Sequence, residues 1–139
     1  MLVQEIMKKN VVTVTKDESV FDACVKYRDH KVGCLVVVDH DKCVGVVTER
    51  DLIERVICMR KDPEKTRVTD IMSKDVKTIH KLATVEDALN LMKKYNIKKL
   101  PVVSNEALVG IVTITDISHA RPELSKRFMD SWVKIRWQD

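Results

Sequence analysis

An internal duplication is the feature of this 139-residue chain that most limits how it can fold. The segment from Glu5 to Leu52 aligns with the segment from Asp70 to Ile117 at a constant offset of 65 residues, without a gap. Seventeen of the 48 aligned pairs are identical. A repeat of this kind is a small structural unit that cannot bury its apolar face alone. We therefore expect two half-size copies that pack on each other.

Each copy carries the same order of predicted elements. Ser19 and Thr84, each followed three residues later by Asp, match a pattern that opens a helix. Two β-branched runs separated by a polar turn follow each helix, which indicates two buried strands. A second helix is expected near Asp51 and near Asp116, and a short strand should precede the first helix. The predicted strands cover residues 11–14, 35–38 and 43–48 in the first copy, and 76–79, 100–103 and 107–113 in the second.

The predicted architecture is α/β (α+β), with two β-α-β-β-α units packed sheet to sheet about a pseudo-two-fold axis. The first copy spans residues 1–59, a linker 60–66, the second copy 67–120, and an amphipathic helical tail 121–139. This packing should create two symmetry-related clefts.

Composition and charge exclude several classes of protein. The net charge of +4, from 25 basic and 21 acidic residues, is too mild for a dedicated nucleic-acid binder. The chain shows neither an apolar run of about 18 residues nor a signal pattern, so we expect no membrane association and a cytoplasmic location. Motifs typical of catalysis are also missing from the sequence, which argues against an enzyme with a catalytic cofactor.

The cysteines and histidines show no metal-ligand spacing, so no metal site is expected. The cysteines should be small buried hydrophobes kept reduced, and the histidines should lie on the surface. These residues are Cys24, Cys34, Cys43, Cys58, His30, His40, His80 and His119.

Both copies end on a glycine, a threonine and an aspartate at the same spacing, Gly45-Val-Val-Thr48-Glu-Arg-Asp51 and Gly110-Ile-Val-Thr113-Ile-Thr-Asp116. Glycine permits close backbone approach. A hydroxyl beside an ionised carboxylate suits a sugar diol, since two ribose hydroxyls can donate to one carboxylate. The alternative is structural, because aspartate is also a good N-cap residue. Both roles remain open at this point.

The chain resembles tandem CBS domains, the Bateman module, over residues 1 to about 120. The resemblance is carried by the two-copy layout, by Asp70-Ile71-Met72, by Ile97-Lys-Lys-Leu-Pro-Val-Val103 and by the Gly-to-Asp endings. It implies paired CBS units that meet through their sheets. It also implies binding of an adenosine-containing ligand such as AMP, ADP, ATP or S-adenosylmethionine, and assembly as a homodimer.

The resemblance implies a role for each matching position. Asp116 would hold the ribose diol, with Thr113 and Thr115 nearby, and Asp51, Thr48 and Arg50 would be their counterparts in the other cleft. The adenine would lie between Val11 and Val12 on one side and Val32, Gly33 and Cys34 on the other, or, in the second cleft, between Val76 and Lys77 and Ile97 and Lys98. Lys98 and Lys99 would meet phosphates, although a solvated turn is the alternative. Because only the second copy has these lysines, we expect the Asp116 cleft to bind more tightly.

Three functional hypotheses follow. The first is a regulatory module that senses an adenosine-containing metabolite. The second is a non-catalytic interaction protein with vestigial clefts that regulates a separately encoded enzyme or transporter. The third and weakest is nucleic-acid binding through the basic tail, whose predicted helix carries Lys126, Arg127, Lys134 and Arg136 around a helical stripe of Leu124, Phe128, Ser131, Trp132 and Ile135.

Overall fold

The computed structural model describes residues 1–124, 126 and 130, and divides the chain into two compact units. The Asp51 unit comprises Asn10–Val76 and Glu106–Leu108. The Asp116 unit comprises Met1–Lys9, Lys77–Asn105 and the described residues from Val109 onward. Each unit thus contains the segment that precedes the first strand of the other copy. The domain boundaries given above, and the packing of the copies sheet to sheet, stay predictions.

The Asp51 unit is built around three strands. The central strand β2 pairs in parallel with β1 and antiparallel with β3. In chain order the elements are β1 (Thr13–Thr15), α2 (Val20–His30), β2 (Cys34–Asp39), β3 (Lys42–Thr48), α3 (Glu49–Leu52), a π-helical segment (Ile53–Ile57) and α4 (Val68–Ile71).

Helix α2 begins and ends where its sequence dictates. The Ser19 hydroxyl accepts a hydrogen bond from the Asp22 amide at 3.1 Å, which confirms the predicted N-cap. Lys31 ends the helix in the left-handed conformation at φ 51°. The buried face of α2 joins a core of Val14, Val20, Ala23, Leu35, Val37, Val47, Val56, Val68, Ile71 and Met72.

The Asp116 unit repeats this plan, with α1 (Val3–Ile6), β4 (Ile79–His80), α5 (Val85–Tyr95), β5 (Lys99–Ser104), the part of β6 (Ala107–Thr113) from Val109 onward, and α6 (Ile114–Ala120). Strand β5 pairs in parallel with β4. Thr84 caps α5, as predicted, and Asn96 ends it at φ 55°. Val3 from α1 is fully buried in the core of this unit, which also contains Ile79, Val85, Ala88, Leu89, Met92, Leu100, Val102, Val112, Ile114 and Ile117.

Tight turns connect β2 to β3 and β5 to β6. The two residues between β2 and β3 are His40 and Asp41, and those between β5 and β6 are Asn105 and Glu106. All four have positive φ, the geometry of a two-residue hairpin whose twist matches that of its strands. The predicted polar turns are confirmed.

The predicted strands and helices are present, with ends shifted by up to three residues. Two short helices, α1 and α4, are additional to the predicted β-α-β-β-α plan. Residues 122–124 are helical, while most of the predicted tail helix and of its basic residues lies outside the described residues. Within the described part of the chain, no helix has the length and apolar character needed to span a bilayer.

Candidate functional site

The two strand-to-helix junctions, β3 to α3 and β6 to α6, have the same local structure. Thr48 and Thr113 are the N-cap residues, and each hydroxyl accepts from the amide of the aspartate three positions later at 3.2 Å. Each aspartate returns the bond, with its Oδ2 accepting from the threonine amide at 2.9 Å. This reciprocal pair is a capping box. The structural alternative for the aspartates is therefore present in a modified form: threonine is the N-cap residue, and the aspartate completes the cap from the third helical residue.

Gly45 and Gly110 accommodate the chain itself at these junctions. A Cβ atom on Gly110 would lie 2.7 Å from the Met7 Sδ atom and 2.8 Å from the Lys8 carbonyl oxygen. A Cβ on Gly45 would lie 2.6 Å from Met72 Sδ and 3.0 Å from the Ser73 carbonyl oxygen. The close approach that the glycines predict is therefore made by the chain itself. The segment after α1 approaches Gly110, and the segment after α4 approaches Gly45.

That segment is held to the strand by paired backbone hydrogen bonds. The amide of Lys8 donates to the Ile111 carbonyl, and the amide of Ile111 donates back, both at 2.9 Å. Ser73 and Val46 exchange the equivalent bonds at 2.9 and 3.0 Å. Lys8 and Ser73 are equivalent in the repeat, so the same backbone position brings a different side chain to each aspartate.

Asp51 is enclosed by side chains of its own unit. Its Oδ1 and Oδ2 lie 3.0 and 3.2 Å from the Ser73 hydroxyl, which donates to the carboxylate. The Arg55 Nε lies 3.9 Å from Oδ1, and its Nη1 donates to the carbonyls of Ile71 and Met72 at 3.1 and 3.2 Å. Only 8% of the Asp51 side chain is exposed. Both oxygens of this carboxylate therefore already accept hydrogen bonds.

Asp116 has a different environment. Its Oδ2 accepts from the Thr113 amide and also from the Thr113 hydroxyl, at 2.9 and 3.0 Å. Its Oδ1 faces the Lys8 ammonium at 3.6 Å. The Asp116 side chain is 9% exposed, but that of Lys8 is 65% exposed. One oxygen is fixed in the cap, while the other contacts a solvated lysine.

A surface cleft of about 580 Å³ lies beside the covered Asp51 carboxylate. Arg55 and Ser73, the two residues that enclose Asp51, line it together with Thr69, Asp70, Met72, Lys74 and Asp75. Asp51 itself is not among the lining residues, which agrees with its burial beneath them.

The residues predicted to wall the first adenine site all belong to the Asp51 unit. Cys34 is paired with Thr48 across β2 and β3, so this wall lies next to the capping box. Gly33 is exposed and its carbonyl is 3.5 Å from the Tyr27 hydroxyl, which also donates to the Val47 carbonyl. Burial raises the pKa of this phenol, so Tyr27 acts as a hydrogen-bond donor. The remaining residues of the set, Val11, Val12 and Val32, are half-buried.

The second predicted set is divided between the units. Lys77, Ile97, Lys98 and Lys99 belong to the Asp116 unit, whereas Val76 belongs to the Asp51 unit. The Lys98 carbonyl accepts from the Ile114 amide at 2.9 Å, which places it at the start of α6, two residues before Asp116. The Lys77 ammonium lies 4.4 Å from the centre of the Tyr95 ring, in a cation–π contact.

Arg50 and Thr115, the equivalent residues within the two junctions, are both exposed. Arg50 forms an ion pair with Glu54 one turn later, with its Nε 2.8 Å from the carboxylate. The hydrogen bond to Glu54 raises the pKa of the Arg50 guanidinium. The roles assigned to these two residues stay predictions.

None of the four cysteines forms a disulfide, and all four histidines are exposed, as predicted for the histidines. Cys58 is exposed and not buried as predicted, because it follows the π-helical segment outside the apolar core. Among residues 1–124, 126 and 130, no three His, Cys, Asp or Glu side chains lie close enough together to hold a metal ion.

Sequence reasoning did not identify Lys8 and Ser73 as neighbours of the aspartates. The available signal was local: Ile-Met is identical in the two copies, and the next residue is Lys in one and Ser in the other. A change directly after an identical pair marks a position where the two units differ in chemistry.

Comparison with known proteins agrees with this geometry. An uncharacterised protein of Methanopyrus kandleri is 36% identical over 136 residues, covering 96% of this chain and 69% of the relative. A Burkholderia ambifaria protein with CBS domains, assigned to signal transduction, superposes with a TM-score of 0.77 at 28% identity, over 88% of this chain and 96% of that one. Hypoxic response protein I, solved with two coordinated zinc ions, gives 0.79 at 28% identity, over 86% and 98%. The CBS domain family matches residues 3–58 and 68–123, so the chain belongs to this family and carries two CBS domains in tandem.

Proposed function

We propose that this protein is a regulatory module that binds an adenosine-containing metabolite, of the AMP, ADP, ATP or S-adenosylmethionine class, at the junction of Thr113 and Asp116. Paired CBS domains are regulatory modules. The observation that carries the proposal is the Asp116 carboxylate, with one oxygen fixed by Thr113 and the other facing an exposed lysine.

This carboxylate suits a ribose diol for a physical reason. The capping bonds fix its orientation before any ligand arrives, and its low exposure limits competition from water. A hydrogen bond to a charged acceptor contributes about 1.5 to 3 kcal/mol. Two ribose hydroxyls that donate to Oδ1 of Asp116 would therefore supply a substantial part of the binding energy.

The neighbouring basic residues support a ligand that carries phosphate. Lys98 and Lys99 lie at the start of β5, and the backbone of Lys98 is bonded to α6 next to Thr113. Lysine is a flexible point charge that can follow a phosphate through several positions. These lysines are therefore compatible with ligands that carry different numbers of phosphates.

The regulatory consequence is a change in the packing of the protein when ligand binds. Such a change is limited by the difference in the ligand's affinity for the two states. We propose no catalytic step, and the response would pass to a separately encoded enzyme or transporter.

A second function, as an interaction module, is favoured by an exposed apolar surface in the Asp51 unit. The exposed fractions of Ile53, Ile57 and Met59, on and just after the π-helical segment, are 53%, 69% and 64%. Large exposed apolar side chains that lie together mark contact surfaces. A second copy of the chain, in the proposed homodimer, or a partner protein would cover them.

Thermal denaturation with a panel of ligands tests the proposed function. The panel is AMP, ADP, ATP, S-adenosylmethionine and NAD, with guanosine monophosphate and ribose-free adenine as controls. A ligand at about 100 times its Kd stabilises the fold by about 2.7 kcal/mol, which raises the Tm of a domain of this size by several degrees. We expect at least one adenosine compound to do so and adenine to have little effect. A panel in which no adenosine compound raises the Tm would contradict the sensor function and favour the interaction module.

A further inference from the structure

The two capping-box aspartates differ in the side chain that covers them. Residues 8 and 73 are equivalent in the repeat and sit on the same backbone bridge beside the glycine strand. One is a long, charged and mostly exposed lysine, and the other is a short, half-buried serine. We propose that this position determines which carboxylate a ligand can reach, with Ser73 closing Asp51 and Lys8 leaving Asp116 open to a ribose that carries an anionic group.

Ser73 makes Asp51 a structural carboxylate. Its hydroxyl lies within hydrogen-bond distance of both Asp51 oxygens, and Arg55 covers the same side. A diol could reach Asp51 only by displacing the serine hydroxyl, which would leave a half-buried donor without its partner. Arg55 has no counterpart in the other unit, where the equivalent residue is Ala120.

Lys8 leaves Asp116 exchangeable. The 3.6 Å separation between its ammonium and Oδ1 is longer than a good charge-assisted hydrogen bond, and the side chain is 65% exposed. Exposed ion pairs of this kind contribute little to stability, so the lysine can move away at small cost. When a ribose hydroxyl takes its place on Oδ1, the ammonium becomes available to a phosphate or another anion of the same ligand.

This inference rests on the proposed function for its ligand but makes a separate prediction for the ligand-free protein. Double-mutant cycles measure how strongly two side chains are coupled. In urea denaturation, Ser73→Ala and Asp51→Asn should be coupled by at least about fivefold in the unfolding equilibrium constant. Lys8→Ala and Asp116→Asn should be coupled by less than about twofold. Equal coupling in the two pairs would overturn the inequality of the aspartates.

Calorimetric titration with AMP and with uncharged adenosine tests the ligand side. Wild type should bind one AMP per chain, and Asp51→Asn should keep its Kd within about threefold. Lys8→Ala should weaken the binding of AMP by about tenfold but that of adenosine by less than about threefold, because it removes the ammonium that would meet the phosphate. Lys8→Ser gives Asp116 the neighbour that Asp51 has. It should weaken the binding of adenosine by about tenfold, since the serine hydroxyl would then donate to the Asp116 carboxylate.

The outcomes separate the two proposals. Equal adenosine affinities for Lys8→Ala and Lys8→Ser, or loss of AMP binding in Asp51→Asn with binding retained in Asp116→Asn, would overturn the role of residue 8. A wild type that binds neither probe, and whose Tm is raised by no adenosine compound of the panel, overturns the proposed function. The coupling energies in the ligand-free protein then decide by themselves whether Ser73 closes Asp51.

Discussion

At the scale of single residues, Gly110 shows how the absence of a side chain lets the Lys8 backbone approach the strand before Asp116. The Met7 sulfur and the Lys8 carbonyl occupy the space where a Cβ would stand. The carbonyl is backbone and is held by its bond from Ile111, so it cannot move without breaking the bridge. The glycine thus permits the contact that brings Lys8 to the carboxylate.

Gly110→Ala should destabilise the fold by about 1 to 3 kcal/mol, the usual cost of overpacking. Urea denaturation measures it. Gly33→Ala is the matched control, because Gly33 is exposed and has no positive φ, so it should change stability by less than about 1 kcal/mol. Equal losses in the two variants would show that the close approach at Gly110 does not limit the packing.

The thiols provide a second prediction at this scale. Burial raises the pKa of Cys24 and of Cys43. At pH 8 a smaller fraction of each thiol is therefore in the reactive thiolate form than in a cysteine with the ordinary pKa. Cys58 is exposed. With a disulfide reagent, Cys58 should react at least about tenfold faster than these two, whose rates should rise as the pH is raised further. A fast phase that persists in Cys58→Ser would contradict this assignment.

At the scale of elements, α1 and α4 hold the residues that distinguish the two aspartates. Helix α1 belongs to the first repeat in sequence but packs in the Asp116 unit, where Val3 is fully buried. Its amide donates to the Ala83 carbonyl at 2.8 Å. The stability of this unit therefore depends on residues at the other end of the chain.

Val3→Ala should reduce the free energy of unfolding by about 1.5 to 3 kcal/mol, since it removes fully buried apolar surface. The exposed Lys9 provides the control, and Lys9→Ala should have an effect of less than about 0.5 kcal/mol. A Val3 variant as stable as wild type would mean that α1 is not part of the core.

The repeat and the capping patterns predicted the regular elements because both are local signals. Ser19 and Thr84 open helices, and the hairpin turns lie where polar residues interrupt β-branched runs. Helices α1 and α4 were missed because each has four residues and little amphipathic pattern. The contacts of Lys8 and Ser73 could not be predicted from local signals. Lys8 lies in the first copy but packs in the Asp116 unit, and Ser73 lies in the second copy but packs in the Asp51 unit.

The aspartates illustrate the limit of sequence reasoning at the site. Their spacing from threonine indicated both a cap and a diol acceptor, and the capping box shows that the first role is present at both. The second role depends on which oxygens are already bonded. For Asp51 this is determined by Ser73, 22 positions later in the chain. For Asp116 it is determined by Lys8, near the start of the chain.

At the scale of the whole molecule, duplication has produced two similar units with unequal chemistry. One unit encloses its aspartate with Ser73 and Arg55, and the other presents its aspartate to an exposed lysine. We therefore expect one adenosine ligand per chain, although the family motif occurs twice. The enclosed site would contribute stability, and the open site would contribute the response.

Calorimetric titration of AMP into wild type and into Asp116→Asn tests most directly whether Asp116 holds the ribose, with 2′,3′-dideoxyadenosine monophosphate as the matched ligand. We expect one site in wild type, and a loss of at least about tenfold in affinity on removing either the carboxylate charge or the two hydroxyls. The two losses should not add, because both remove the same hydrogen bonds. Wild-type affinity retained by Asp116→Asn, with the hydroxyls still required, would contradict the assignment of Asp116 as the ribose acceptor.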